Sequence, residues 1–376
     1  MSEKERAETK RSENRRVSRK RKEQKLSIRK GAEKMKKKWM NSMAAAVMAA
    51  SLIVGLTGTG AAAADDTAAA DGELKKITFC LDWTPNTNHT GLFAAQALGY
   101  YEEAGLEVEI VQPPEDGAVL MCASGQAQFA VEFQDTLAAA LDQDGAFGVT
   151  AVAAVLQHNT SGILSRAGDG IDSPAGLEGR TYSTWESPIE LATLEQVMTD
   201  QGADFSTVKL IPNTITDEPA ALAAHQTDAV WVFYGWSGVN AGIEDVDCDY
   251  WSFADINPVF DYYTPVLIGN NEFMESDPET AKAFLAATAK GYAYAIENPE
   301  EAADLLIAGD TTGSLVGSEE LVYASQNWLK DQYVADADTW GYIDPARWDA
   351  FYQWLYDNGL TEHDLTGIGF TNEYLS

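Results

Sequence analysis

From Leu74 onward, short apolar runs alternate with stretches whose apolar residues recur at helical spacing. Ile77–Leu81, Val108–Val111, Phe129–Val131 and Val149–Leu156 predict strands, with helices over Leu92–Leu98, Ala118–Ala123 and Thr136–Leu141 between them. The unbroken Val149–Leu156 run suits a parallel sheet covered on both faces. A second block follows, with strands at Gly179–Ser183, Val208–Ile211 and Asp228–Phe233 and a helix over Pro219–His225. Another helix opens at Ser187-Pro188, where Ser as cap, Pro in the first turn and Glu190 at the third position mark an N-terminus. After a further strand at Val266–Ile268 the chain turns helical. Asp277-Pro278 caps Glu279–Glu297, Asn298-Pro299 interrupts, Glu300–Ala308 resumes, and tryptophan-rich helices are expected to the C-terminus. Two alternating blocks with a late return predict an α/β fold of two lobes joined by two crossovers, near 157–162 and 261–265. The expected division is 74–158 for lobe 1, 159–262 for lobe 2, and 263–376 for the return to lobe 1 with its C-terminal helices.

Charge separates the chain into unlike parts. Residues 1–64 carry 17 Lys/Arg against 6 Asp/Glu, whereas the remainder carries 9 against 52. Within the basic part lie the uncharged run Met43–Leu56 and the small residues Gly58–Ala64. That order reads as a secretory signal peptide with a basic extension, cleaved near Ala64, and 65–73 as a small-residue linker. Met35 would serve as a start as well as Met1. The apolar run is shorter than the roughly 20 residues that span a bilayer, and no Cys near the cleavage point offers a lipid anchor. An exported protein, on the periplasmic or extracellular face of the membrane, is therefore expected.

The acidic body argues against nucleic acid and anionic membranes as partners, and disfavours a strongly anionic ligand. Cys80, Cys122 and Cys248 are scattered, with no metal spacing, and read as three thiols or as one disulfide plus a thiol.

Ligands of open α/β proteins sit outside the carboxyl ends of strands, and the strand-end loops here are unusually rich. The first holds Asp82, Trp83, Asn88 and His89; the second, Glu132–Asp135, contributes Gln134; the third holds His158 and Asn159. Trp185, Ser187 and Glu190 follow in the second block, then Tyr234 and Trp236, and finally Tyr262. Indoles and phenols converging with carboxylates and amides suit a flat, neutral or weakly cationic, hydrogen-bonding ring. His89, His158 and Asp82 lack the close spacing of metal ligands, and Gly-x-Ser-x-Gly, HExxH and P-loop motifs are absent.

LDWTPNTNHTG at 81–91, LQHNTSGI at 156–163, SPIE at 187–190, WVFYGWSG at 231–238, DYYTPV at 261–266 and WGYIDPARWDAFYQWLYDNGL at 340–360 carry a resemblance. The chain resembles the substrate-binding proteins of ABC importers for thiamine pyrimidine precursors, above all those for N-formyl-4-amino-5-aminomethyl-2-methylpyrimidine. The likeness spans residues 74–376. It implies a periplasmic-binding-protein-like fold of type II, a pyrimidine ligand held in the cleft by the residues just named, and thiamine salvage. It also implies a permease partner and, through it, an ATPase, with no cofactor, no metal and a monomeric state.

The same superfamily includes the fungal hydroxymethylpyrimidine phosphate synthase, so a secreted enzyme is the rival. The enzyme pattern places a Lys and a His four residues apart before a Thr-Leu-Ala-Ala helix. Here Thr136-Leu137-Ala138-Ala139 follows Asp135, and Val131 stands at the Lys position. Its cysteine cluster falls at Asp261–Pro265 and its glycine-rich phosphate loop at Trp185–Pro188. A second alternative is a taurine, sulfonate or nitrate binder, which would need Arg or a donor cluster. Of the Arg beyond residue 64, Arg166, Arg180 and Arg347, none lies in a candidate loop.

Overall fold

Two five-stranded sheets form the frame of the computed structural model, which describes residues 74–143 and 147–375. The expected signal peptide and linker lie outside the described residues. The chain runs through β1 (Lys75–Cys80), α1 (Thr90–Ala97), β2 (Leu106–Val111), β3 (Phe129–Glu132), α2 (Gln134–Leu141) and β4 (Val149–Ala154). It then enters a second unit of β5 (Ser161–Arg166), β6 (Thr181–Thr184), α3 (Pro188–Asp200), β7 (Lys209–Pro212), β8 (Ala229–Phe233) and β9 (Cys248–Ser252). The return comprises β10 (Val266–Asn270), α4 (Pro278–Glu297), α5 (Pro299–Gly309), α6 (Glu319–Leu329) and α7 (Pro345–Asp357).

The first sheet has the order β2-β1-β3-β10-β4 and the second β7-β6-β8-β5-β9. In each, three parallel strands are followed by one running the other way and a fifth running with the first three. β10 is antiparallel to both β3 and β4, so β4 does not sit in a parallel sheet as its apolar run suggested. Its double burial comes from core on both faces, with Val149, Ala151 and Ala154 in one hydrophobic cluster and Val152 and Ala153 in another. β10 covers one edge, and bridges from Ala151 to Phe370 and from Ala154 to Gly341 cover the other. The helices expected to the C-terminus stop at Asp357, and the chain beyond supplies the Phe370 part of this edge cover.

β5 and β9 were not anticipated. β5 has a two-residue apolar centre, Ile163-Leu164, between polar ends, and β9 (Cys248–Ser252) follows the acid-rich stretch 244–249. Tertiary pairing makes both: β5 bonds β8 on one side and β9 on the other.

α4 packs on α1 backbone to backbone, since a Cβ on Gly291 would stand 1.9 Å from the Gly91 carbonyl oxygen. Only glycine permits that approach. It brings the long return helix directly behind the β1–α1 loop. No helix among the described residues is long and apolar enough to cross a membrane.

Candidate functional site

The loop after β1 is heavily braced. Asn86 caps the turn Thr87–His89 by accepting from the Asn88 amide at 2.9 Å, and its own amide donates to His89 Nδ1 at 3.2 Å. With Nδ1 accepting, the imidazole proton sits on Nε2, which donates to Asp82 Oδ1 at 2.7 Å. His89 is completely buried, and Asp82 nearly so. From behind, the Tyr292 hydroxyl donates to the Asn88 carbonyl and the Tyr333 hydroxyl to the Thr87 carbonyl, each at 2.6 Å. The loop's shape therefore does not depend on a ligand. Trp83 alone escapes the bracing and stands 62% exposed beside Asp82.

The loop after β3 brings two carboxylates that the candidate set did not include. Glu132 accepts from the Phe133 amide at 2.9 Å and from the Thr136 hydroxyl. Burial pushes its carboxyl up to about 7, with Asp82 and Asp135 adding to the rise. Burial likewise pushes Asp135 up to about 6. Cys80, at the end of β1, is pushed up to about 12 by burial and by Asp82 and Glu132. Asp82, Glu132 and Asp135 thus share one electrostatic neighbourhood at the carboxyl edge of the first sheet. Their signal was legible only as the segment Glu132–Asp135, where nothing in sequence separates a cleft carboxylate from a solvated one.

Gln134, proposed as a ligand contact, is spent on the fold. Its Nε2 donates to the Trp348 carbonyl and its Oε1 accepts from the Tyr263 amide, both at 2.9 Å, with the residue wholly buried. Asn159 is similarly committed. Its amide donates to the Phe260 carbonyl and accepts from the Ser161 amide, each at 2.8 Å, which ties one crossover to the other. Tyr262 is buried and stacked on Phe351 at 4.0 Å, so its ring is engaged in the core. His158 sits between Asp261 Oδ2 at 2.8 Å and Asp336 Oδ1 at 3.0 Å. These four residues clamp the crossovers rather than line a binding surface.

In the second lobe, Glu190 is an organiser of its own loop. Its carboxylate accepts from the Tyr182 hydroxyl at 2.7 Å, the Thr184 hydroxyl at 3.0 Å, the Trp185 amide at 3.1 Å and the Ser187 amide at 3.2 Å. Burial raises its pKa while these donors pull the other way. With those donors in place, its carboxylate caps its own loop. Ser187 is the N-cap of α3. Trp185, held by Glu190 through its backbone, leaves its indole 48% exposed.

β8 ends in the turn Tyr234–Gly238. The Tyr234 ring lies against Tyr250 at 4.8 Å and Trp328 at 5.2 Å, while Phe133 and Phe233 stack at 5.8 Å across the cleft. Between the lobes remains a cavity of about 20 Å³, lined by Asn86, Thr87, Asn88, Phe233, Gly235 and Trp236 among others. That is room for about one water, so a ring-sized ligand requires the lobes to part.

The three described Arg residues are engaged away from this cavity. Arg166 pairs with Asp169 and Asp228, Arg180 donates to the Asp169 carbonyl, and Arg347 lies 3.6 Å from Asp261. Among the described residues, no group of three or more His, Cys, Asp or Glu side chains is arranged to hold a metal ion. Cys80, Cys122 and Cys248 are unpaired thiols.

Several known proteins are similar to this chain. A formylaminopyrimidine-binding protein of Halalkalibacterium halodurans is 29% identical over 297 residues, covering 77% of this chain and 87% of that protein. A 4-amino-5-hydroxymethyl-2-methylpyrimidine phosphate synthase of Saccharomyces cerevisiae is 27% identical over 252 residues, covering 60% of this chain and 69% of its own. Among solved structures, the alkanesulfonate-binding protein SsuA of Xanthomonas axonopodis pv. citri, bound to MOPS, superposes with a TM-score of 0.58 at 12% identity. The match covers 82% of this chain and all of that one. The fold is that of the periplasmic binding proteins. Residues 86–302 match the family described as NMT1/THI5 like, and the chain belongs to that family.

Proposed function

We infer that this protein is the extracytoplasmic solute-binding component of an ABC importer and carries an aminopyrimidine precursor of thiamine. The observation that carries the reading is the content of the cleft. Asp82, Glu132 and Asp135 gather at the strand ends, exposed Trp83 and Trp185 stand on strand-end loops of the two lobes, and the described arginines are committed elsewhere. Such a surface accepts donors from a flat amino-bearing ring and offers an anion little. The likeness to a formylaminopyrimidine-binding protein supports the same ligand class. Asp82, Trp83, Asn88, Trp185, Tyr234 and Trp236 are the side chains placed to meet it. Lobe 1 would comprise 74–158 with 263–376, lobe 2 residues 159–262, and a permease with its ATPase would receive the closed form.

Titration with N-formyl-4-amino-5-aminomethyl-2-methylpyrimidine should change tryptophan fluorescence and raise the melting temperature, because only the folded state binds. The ligand should be recovered unchanged. Saturable binding of taurine with no response to any aminopyrimidine would falsify the ligand assignment. Synthase chemistry remains the rival because synthases share the family. Against it, Val131 is an apolar side chain wholly buried in β3, where that enzyme pattern needs an amine. Formation of a pyrimidine product from pyridoxal phosphate would reinstate it.

A further inference from the structure

Helix α6 belongs to the return segment of lobe 1, yet it is pressed against the turn that ends β8 in lobe 2. Trp328 on α6 meets the Tyr234 ring, and a Cβ on Gly235 would stand 3.0 Å from both Trp328 and Leu329. At the centre of this contact is Ser325. Its hydroxyl donates to the Gly235 carbonyl oxygen and lies 2.6 Å from Thr87 Oγ1. A serine hydroxyl has one proton. Because that proton goes to Gly235, Thr87 must be the donor to Ser325. The relay therefore runs one way, from the lobe 1 ligand loop through Ser325 to the lobe 2 turn. Thr87 and Ser325 are both buried, and Thr87 and Gly235 both line the inter-lobe cavity.

We propose that Ser325 is the closure latch of this protein, a positioning residue that joins the two walls of the ligand cavity only when the lobes are shut. Thr87 and Ser325 lie in the same lobe and keep their bond on opening, while the Gly235 carbonyl is released to water. In the closed form Ser325 reaches across to Gly235, so that bond adds to the closed state alone. Ligand trapped between the same two walls is held by the latch without touching it. This rests on the reading of the cleft as the ligand site.

The test compares wild type, Ser325→Ala and Gly235→Ala. Ser325→Ala leaves a donor and an acceptor unmet in the closed form, and Gly235→Ala wedges α6 from the opposite side. Each should weaken pyrimidine affinity by roughly tenfold, the scale of one buried hydrogen bond left unmade. The loss should lie in faster release by stopped-flow. A Ser325→Ala protein that melts lower but releases ligand at the wild-type rate overturns the latch. X-ray scattering without ligand separates this from the ligand assignment, because wild type should be more compact than either variant. Equal radii in all three proteins overturn the latch. A wild type that ignores the pyrimidine while both variants expand overturns the assignment and leaves the latch standing.

Discussion

At the scale of single residues, the candidate side chains divide according to whether their polar atoms are already used. Trp83 has its indole in solvent beside Asp82, so its removal costs the fold little. Trp83→Ala should weaken pyrimidine binding by at least about 1 kcal/mol by calorimetry, with an unchanged melting temperature. Glu190 is the opposite case. Replacing one carboxylate oxygen by an amide nitrogen sets N–H against the donors of Thr184, Trp185 and Ser187. Glu190→Gln should therefore lose about 1–3 kcal/mol in denaturant unfolding. Glu132 carries a pKa raised from 4.5 to about 7. A carboxyl raised in this way favours the folded state while protonated and loses that advantage as pH climbs through the window from 4.5 to 7. Glu132→Gln keeps an oxygen for Phe133 and Thr136, and should melt above wild type at pH 8 but not at pH 4.5. The sequence singled out these loops by their residue types. It could not tell Gln134 from Trp83, because a buried amide and an open indole differ only in what other elements bring to them.

At the scale of elements, legibility followed locality. α4 and α5 were readable from the Asp277-Pro278 cap and the Asn298-Pro299 break, since their signals lie within a turn of the ends. β5 and β9 were not, since their identity comes from pairing with β8 across about 70 residues and with each other. The C-terminal segment was misjudged as helix for the same reason. Its structure consists of bonds to β4, with Ala151 donating to the Gly369 carbonyl at 2.8 Å and Thr371 donating back at 2.9 Å. An uncovered edge strand is a template for intermolecular pairing. A chain ending at Leu360 should therefore melt lower and form oligomers in light scattering, while the same chain ending at Glu373 should remain monodisperse.

At the scale of the whole molecule, the crossovers are closed by an ion cluster that senses pH. His158 presents a nitrogen to each of two carboxylates, and only the imidazolium has a proton for both. Hydrogen bonding to Asp261 raises its pKa above 6.5, against burial and the nearby Arg347 charge, with Asp336 adding to the rise. A histidine so raised contributes its full stability below pH 6.5 and loses it as pH rises through the folded-state value. Wild type should therefore melt above His158→Gln at pH 6, and the gap should narrow steadily toward pH 9 in calorimetry.

The sheet orders also dictate when each lobe can exist. All five strands of the second sheet come from one uninterrupted stretch, 161–252. The first sheet lacks its fourth strand until β10 is made, and without β10 nothing joins β4 to β3. During synthesis the later-starting lobe can finish first, while the earlier strands wait for residues 266–270 to thread between them. Contacts that must await distant sequence form slowly. In pulse-labelled hydrogen exchange during refolding, amides of β8 and β5 should gain protection ahead of those of β4.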